Sequence, residues 1–97
     1  MVKNFFVYMM ASGKNGTLYI GVISDLRKRV WEHKNNVVDG FTEKYAVHDL
    51  VWYEAQESAG GAIRREKRMK KYTRAAKIKL IERENINWND LYEQICQ

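Results

Sequence analysis

The stretch Asn4 to Met10, NFFVYMM, is apolar on both of its alternating faces. Successive side chains of a strand point to opposite sides. Phe6, Tyr8 and Met10 therefore share one face, and Phe5, Val7 and Met9 share the other. A strand of this kind is expected at the centre of a sheet, covered on both sides. The chain has 97 residues, which fits a single domain spanning residues 1–97. A chain of that length buries only about two thirds of its unfolded surface, so the core is modest.

The remaining elements follow in order. Met1 to Lys3 reads as a frayed end, and Ala11 to Gly16 is a loop with Asn15-Gly16 as its turn signal. Thr17 to Ile23 is a second strand, paired back on the first as a hairpin. Its Gly21 is unusual, because glycine weakens a strand and marks a close approach; it predicts an opening beside Tyr19. Ser24 reads as the N-cap of a helix from Asp25 to Lys34. Val37 to Lys44 is a loop around Gly40, continuing to Val47. His48 to Glu54 is a third strand, with Leu50 and Trp52 on one face and Val51 and Tyr53 on the other. A second helix runs from about Ser58 to Tyr72, with Gly60 and Gly61 weakening its first turn. Thr73 caps a third helix from Arg74 to about Glu84. Asn87 caps a short last helix from Trp88 to Ile95. The class is α+β: a three-stranded antiparallel sheet flanked by helices, in the order ββαβαα with a short C-terminal helix.

Polar residues on apolar helical stripes are the informative feature. In the first helix Leu26, Arg29, Val30 and His33 fall at i, i+3, i+4 and i+7, on one face. Leu26 and Val30 must meet the sheet, so Arg29 and His33 point there too. A charged arginine aimed at a sheet needs a partner or an opening to water; the plain alternative is a rim arginine with its head in solvent. Arg27, Lys28 and Glu32 read as solvent residues. The second helix repeats the pattern with Ala59, Ala62, Ile63 and Glu66. Glu66 is the lone acid between Arg64 and Lys79. It suits an ion pair with its neighbours, or a hard divalent cation, which prefers carboxylate oxygen.

The net charge is +5, and 17 residues are Lys or Arg. Arg64, Arg65, Lys67, Arg68, Lys70, Lys71, Arg74, Lys77 and Lys79 make one nearly single-signed run. An anionic partner is implied, nucleic acid first and a membrane surface second. Phosphate backbone contact is the natural use of such a run. Only Tyr72 interleaves with it, which argues against a base-stacking platform. The membrane reading is weaker, because the basic helix has no large apolar face opposite its charges. No stretch has the 18 or more apolar residues of a membrane span, and the N-terminus lacks a signal-peptide core. The single cysteine, Cys96, allows no disulfide within the chain and fits a reducing, cytoplasmic setting. No Cys-x-x-Cys, His-Glu-x-x-His, P-loop or dinucleotide glycine pattern is present, and His48 reads as structural.

With these residues assembled, the sequence resembles the GIY-YIG nuclease superfamily, and more narrowly its small stand-alone bacterial members of uncharacterised role. The resemblance runs through Phe6-Val7-Tyr8, Asn15 to Gly21, Asp25-Leu26 with Arg29 and His33, and Gly40-Phe41-Thr42. It continues through Leu50-Val51, Ala62 to Lys67, Leu80-Ile81-Glu82, Asn85, Trp88 and Asp90-Leu91. Two positions depart from the pattern. Phe6 stands where the superfamily has glycine, and Ile86 where small members often have proline.

The resemblance implies a metal-dependent endonuclease that hydrolyses phosphodiester bonds. Tyr8 and Tyr19 would sit at the active centre, with Tyr8 as the general base. Arg29 would contact the scissile phosphate and His33 would assist proton transfer or phosphate positioning. Glu66 would hold a single divalent cation, Mg2+ or Mn2+. Gly21 and Asn85 would support the site. The partner is nucleic acid, DNA before RNA, recognised by structure or backbone, and a monomer is favoured. Two other readings stand beside this one: a non-catalytic nucleic-acid-binding module on the same fold, and a basic protein-interaction domain.

Overall fold

The computed structural model describes residues 4–37 and 46–97. The expectations for Met1 to Lys3, for the loop around Gly40 and for the Gly40-Phe41-Thr42 match lie outside the described residues. In chain order the elements are β1 (Phe5–Ala11), β2 (Leu18–Ile23), α1 (Leu26–Lys34), β3 (Asp49–Gln56), α2 (Ala59–Lys70), α3 (Arg74–Glu82) and α4 (Tyr92–Ile95). The strands form an antiparallel sheet in the order β2-β1-β3. The expected α+β architecture is the observed one.

β1 is central, as its two apolar faces require. Val7, Met9 and Ala11 pack with Ile20 of β2, Ala62 and Met69 of α2, Ile81 of α3 and Trp88. On the opposite face Tyr8 and Met10 pack with Leu26 and Val30 of α1, Val47 and Leu50, and Leu91, Tyr92 and Ile95 close over them. The sheet is thus a partition, with α2 and α3 on one side and α1 and α4 on the other. Each fully buried side chain of this kind stabilises the fold by roughly 1.5–3 kcal/mol relative to exposure.

Four local expectations are corrected. Met9 pairs with Trp52 but Met10 pairs with Leu50, so the β1–β3 register slips there and Val51 is the extra residue of a bulge. Val51 and Trp52 consequently join the same core and Leu50 and Tyr53 the other, which breaks the simple alternation. Asp25, not Ser24, caps α1: its carboxylate accepts from Lys28 N at 3.2 Å. The last helix starts at Tyr92, and Asn87 does not cap it. Trp88 has φ 57°, a left-handed backbone that cannot continue a helix. The apolar stripe of α2 is carried by Ala62 and Met69, while Ile63 is 43% exposed. Ser58 and Thr73 cap α2 and α3 as their side chains predict, accepting from Gly61 N at 3.0 Å and Ala76 N at 3.1 Å.

Candidate active site

Tyr8, Tyr19 and His33 form one cluster of rings on the α1 side of the sheet. Their centroids lie 6.2 Å apart for Tyr8–Tyr19, 5.7 Å for Tyr8–His33 and 5.2 Å for Tyr19–His33. The hairpin register builds half of this cluster, because Tyr8 pairs with Gly21 and Tyr19 with Met10. A Cβ on Gly21 would sit 2.6 Å from both Cζ and Oη of Tyr8. The glycine is therefore the floor under the Tyr8 phenol. The opening expected beside Tyr19 is filled by the ring of Tyr8 from the neighbouring strand.

α1 supplies the other half. Its helical period turns His33 inward, and the imidazole is 1% exposed. Tyr8 Oη lies 3.0 Å from His33 Nε2, while His33 Nδ1 has no hydrogen-bond partner among the described residues. Burial, then the positive charge of Arg29, then His48, lowers the His33 pKa to about 4. The imidazole is therefore neutral at physiological pH. Burial pushes the Tyr8 phenol upward, and the charges of Tyr19 and Glu66 and a hydrogen bond with Tyr19 push the same way; only Arg29 opposes them. The phenolate is disfavoured in this setting. Desolvation outweighs the one guanidinium that opposes it.

Arg29 is one turn before His33 and only partly buried, with 33% of its side chain exposed. Its Nε is shielded from water and makes no hydrogen bond among the described residues, lying 3.4 Å from Glu32 Oε1. Glu32, read from the sequence as a solvent residue, is thus the counter-charge of Arg29. Its i,i+3 spacing was the available signal. Glu66 stands on α2, and its negative charge is the smallest of the influences that raise the Tyr8 phenol. Its side chain is 19% exposed, and its Oε2 pairs with Lys70 Nζ at 3.2 Å.

The carboxylate that the sequence offers as a metal ligand is Glu66. No group of three or more His, Cys, Asp or Glu is gathered among the described residues. One carboxylate fits magnesium or manganese, which keep several waters and take further oxygens from a substrate phosphate. It does not fit zinc, which takes a full set of protein nitrogens and sulfurs.

Other predicted residues lie elsewhere. Asn85 is buried beside β3, on the far edge from Tyr19. Its Nδ2 donates to Val51 O at 3.1 Å and Asn89 O at 2.9 Å, and its Oδ1 accepts from Asn89 N at 3.0 Å. The amide is fully used as a clip and has nothing left for a phosphate. Three of the basic residues are also occupied. Arg65 bonds Glu54 Oε1 at 3.0 Å and Tyr72 Oη at 3.2 Å, and stacks over Trp52. Arg74 Nη2 donates to the carbonyls of Asn15 and Gly16 at 2.7 and 2.6 Å, anchoring the hairpin loop. Lys70 pairs with Glu66. Arg64, Lys67, Arg68 and Lys71 are exposed, and Lys77 is half-buried.

A two-tyrosine, arginine and glutamate arrangement on this ββαβαα frame coincides with a family match. Residues 4–79 match the model of the GIY-YIG catalytic domain. The chain belongs to the GIY-YIG family. Proteins to which it is similar include the UPF0213 protein of Staphylococcus epidermidis, 34% identical over 79% of this chain and 93% of that protein. The UPF0213 protein of Staphylococcus aureus is 34% identical over 82% of this chain and 96% of that protein. Among solved structures, the solution NMR structure of a UPF0213 protein from Bacillus halodurans is similar, with a TM-score of 0.52 and 26% identity over 84% of this chain and 85% of that one. A GIY-YIG domain is a nuclease-type fold, and its general substrate is nucleic acid.

Proposed function

We propose that the protein is a divalent-metal-dependent endonuclease that hydrolyses phosphodiester bonds in DNA, with the ring cluster, Arg29 and Glu66 as its centre. One observation carries the reading. His33, on the same face of α1 as Arg29, brings its Nε2 to 3.0 Å from the Tyr8 hydroxyl inside a cluster of rings that Tyr19 completes. A guanidinium for phosphate and a proton-carrying pair thereby share one side of the sheet, and Glu66 of α2 is the carboxylate proposed to bring the cation to them.

The chemistry needs water to attack phosphorus, the ester P–O bond to break, and the leaving oxygen to gain a proton. A cation on Glu66 would supply Lewis-acid stabilisation of the oxyanions. Arg29, with a third of its side chain exposed, grips phosphate oxygens through its guanidinium fork. Tyr8 serves as a relay: its oxygen takes the proton of the attacking water as its own proton passes to neutral His33 Nε2, and the imidazole, a weak base beside Arg29, gives that proton back through Tyr8 to the leaving oxygen as the ester P–O bond breaks. This accommodates the raised phenol, since no free phenolate has to accumulate. Tyr19 closes the cluster beside them.

The test is cleavage of DNA substrates of several structures with magnesium or manganese. Arg29→Ala and Glu66→Ala are expected to lower the rate by about 10²–10³-fold each, as removal of a group that stabilises transition-state charge does, while circular dichroism and thermal midpoint stay close to the parent. Equal cleavage by parent and variants would assign the activity to a contaminant. Salt-sensitive binding by the parent with no cleavage under either metal would support the non-catalytic binding module instead.

A further inference from the structure

The run from Arg64 to Lys77 divides by what each cation already touches. Arg65, Lys70 and Arg74 are held by Glu54, Glu66 and the Asn15 and Gly16 carbonyls. Arg64, Lys67, Arg68 and Lys71 have no hydrogen bond or ion pair among the described residues, and all four are exposed. They stand at i, i+3, i+4 and i+7 on α2 and its C-cap, which is one continuous stripe. At 3.6 residues per turn, the middle of that stripe lies about 150° around the helix from Glu66. It faces away from the core that Ala62 and Met69 enter.

We infer that this outer stripe of α2 is a second phosphate-binding surface, an anchor for a nucleic-acid strand distinct from the centre that would hold the scissile phosphate. The inference rests on the nucleic-acid reading above and adds where, apart from that centre, the strand is held. Four like charges within two turns repel one another, and an anion row relieves this. The stripe is about 10 Å long at 1.5 Å per residue. One strand of a duplex offers a charge every 3.4 Å or so, so about three phosphates lie against it. No aromatic side chain lies within the stripe, so it touches the backbone and carries no base sequence. Because α2 itself separates the anchor from Glu66, a nucleic acid occupying both surfaces must pass around the helix. A bent or branched substrate does this more readily than a short straight one.

The experiment is binding of a labelled DNA duplex by fluorescence anisotropy across a salt series, with chelator present so that cleavage plays no part. Lys67→Ala/Arg68→Ala and Arg64→Ala/Lys71→Ala are each expected to reduce the slope of log K against log salt by about 0.9–1.8, or 0.9 for each of the one or two phosphates left without its cation. Arg65→Ala is expected to keep the parental slope while lowering the thermal midpoint. A parental slope in both double variants overturns the anchor, as does an Arg65→Ala slope reduced as much as theirs. Failure of the parent to bind DNA overturns it too and points the stripe toward an acidic protein. A reduced slope in a protein that never cleaves DNA would leave the anchor standing and remove the catalytic reading alone.

Discussion

Gly21 is the residue whose job is clearest from geometry. Its backbone does not have the positive φ that only glycine tolerates readily, so the demand on it is purely steric. An alanine Cβ would meet Cζ and Oη of Tyr8 at 2.6 Å. Gly21→Ala is expected to destabilise the fold by about 1–3 kcal/mol, the usual cost of overpacking, and to displace the Tyr8 hydroxyl from His33. In a Tyr8→Ala background the same change should become neutral or stabilising, because alanine outperforms glycine in a strand by roughly 0.5–1 kcal/mol. Urea denaturation of the four proteins measures this; an equal cost in both backgrounds would refute the contact. At this scale the sequence was partly legible. The helical period turned Arg29 and His33 toward the sheet, and the glycine flagged a close approach. The identity of what approached was hidden, because it comes from the strand alongside and depends on register.

Elements were legible wherever a local rule decides them. Thr73 and Ser58 cap their helices because their hydroxyls reach back to amides three residues on. At α1 two neighbouring residues, Ser24 and Asp25, both qualify by type, and only the backbone settles which is the cap. Asp25→Ala should therefore cost about 1 kcal/mol, whereas Ser24→Ala should change the urea midpoint hardly at all. A reversed pattern would move the cap back to Ser24. The Val51 bulge was illegible for a different reason. His48 to Glu54 contains a clean alternation, and nothing in it records that the partner strand skips a residue between Met9 and Met10. The last helix failed similarly: Asp90, with Oδ1 accepting from Leu50 N and Tyr92 N at 3.1 Å each, fixes the segment by tertiary contact before any helix begins.

Across the whole molecule, β1 joins two cores, and its Tyr8–His33 contact is the point where titration bears on global stability. The signs differ for the two partners. His33 is lowered from 6.5 to about 4, so between those values the unfolded chain binds the proton that the folded one refuses. That contribution is complete above about pH 6.5 and disappears as pH falls toward 4. Tyr8 is raised above its usual 10.0, so the folded chain keeps a proton that the unfolded one releases. That contribution is complete below pH 10 and disappears as pH rises beyond it. The pair alone thus predicts a stability plateau from about pH 6.5 to 10 with a fall at each end. Asp49, raised mainly by burial and then by Asp90, acts oppositely at the acid end, since its contribution disappears as pH rises above its unfolded value. Differences against variants separate the two. His33→Gln should flatten the urea midpoint between pH 6.5 and 4, and Tyr8→Phe should flatten it above pH 10. If both variants keep the parental curvature, the buried hydroxyl–imidazole contact is not what sets the pH range of the fold.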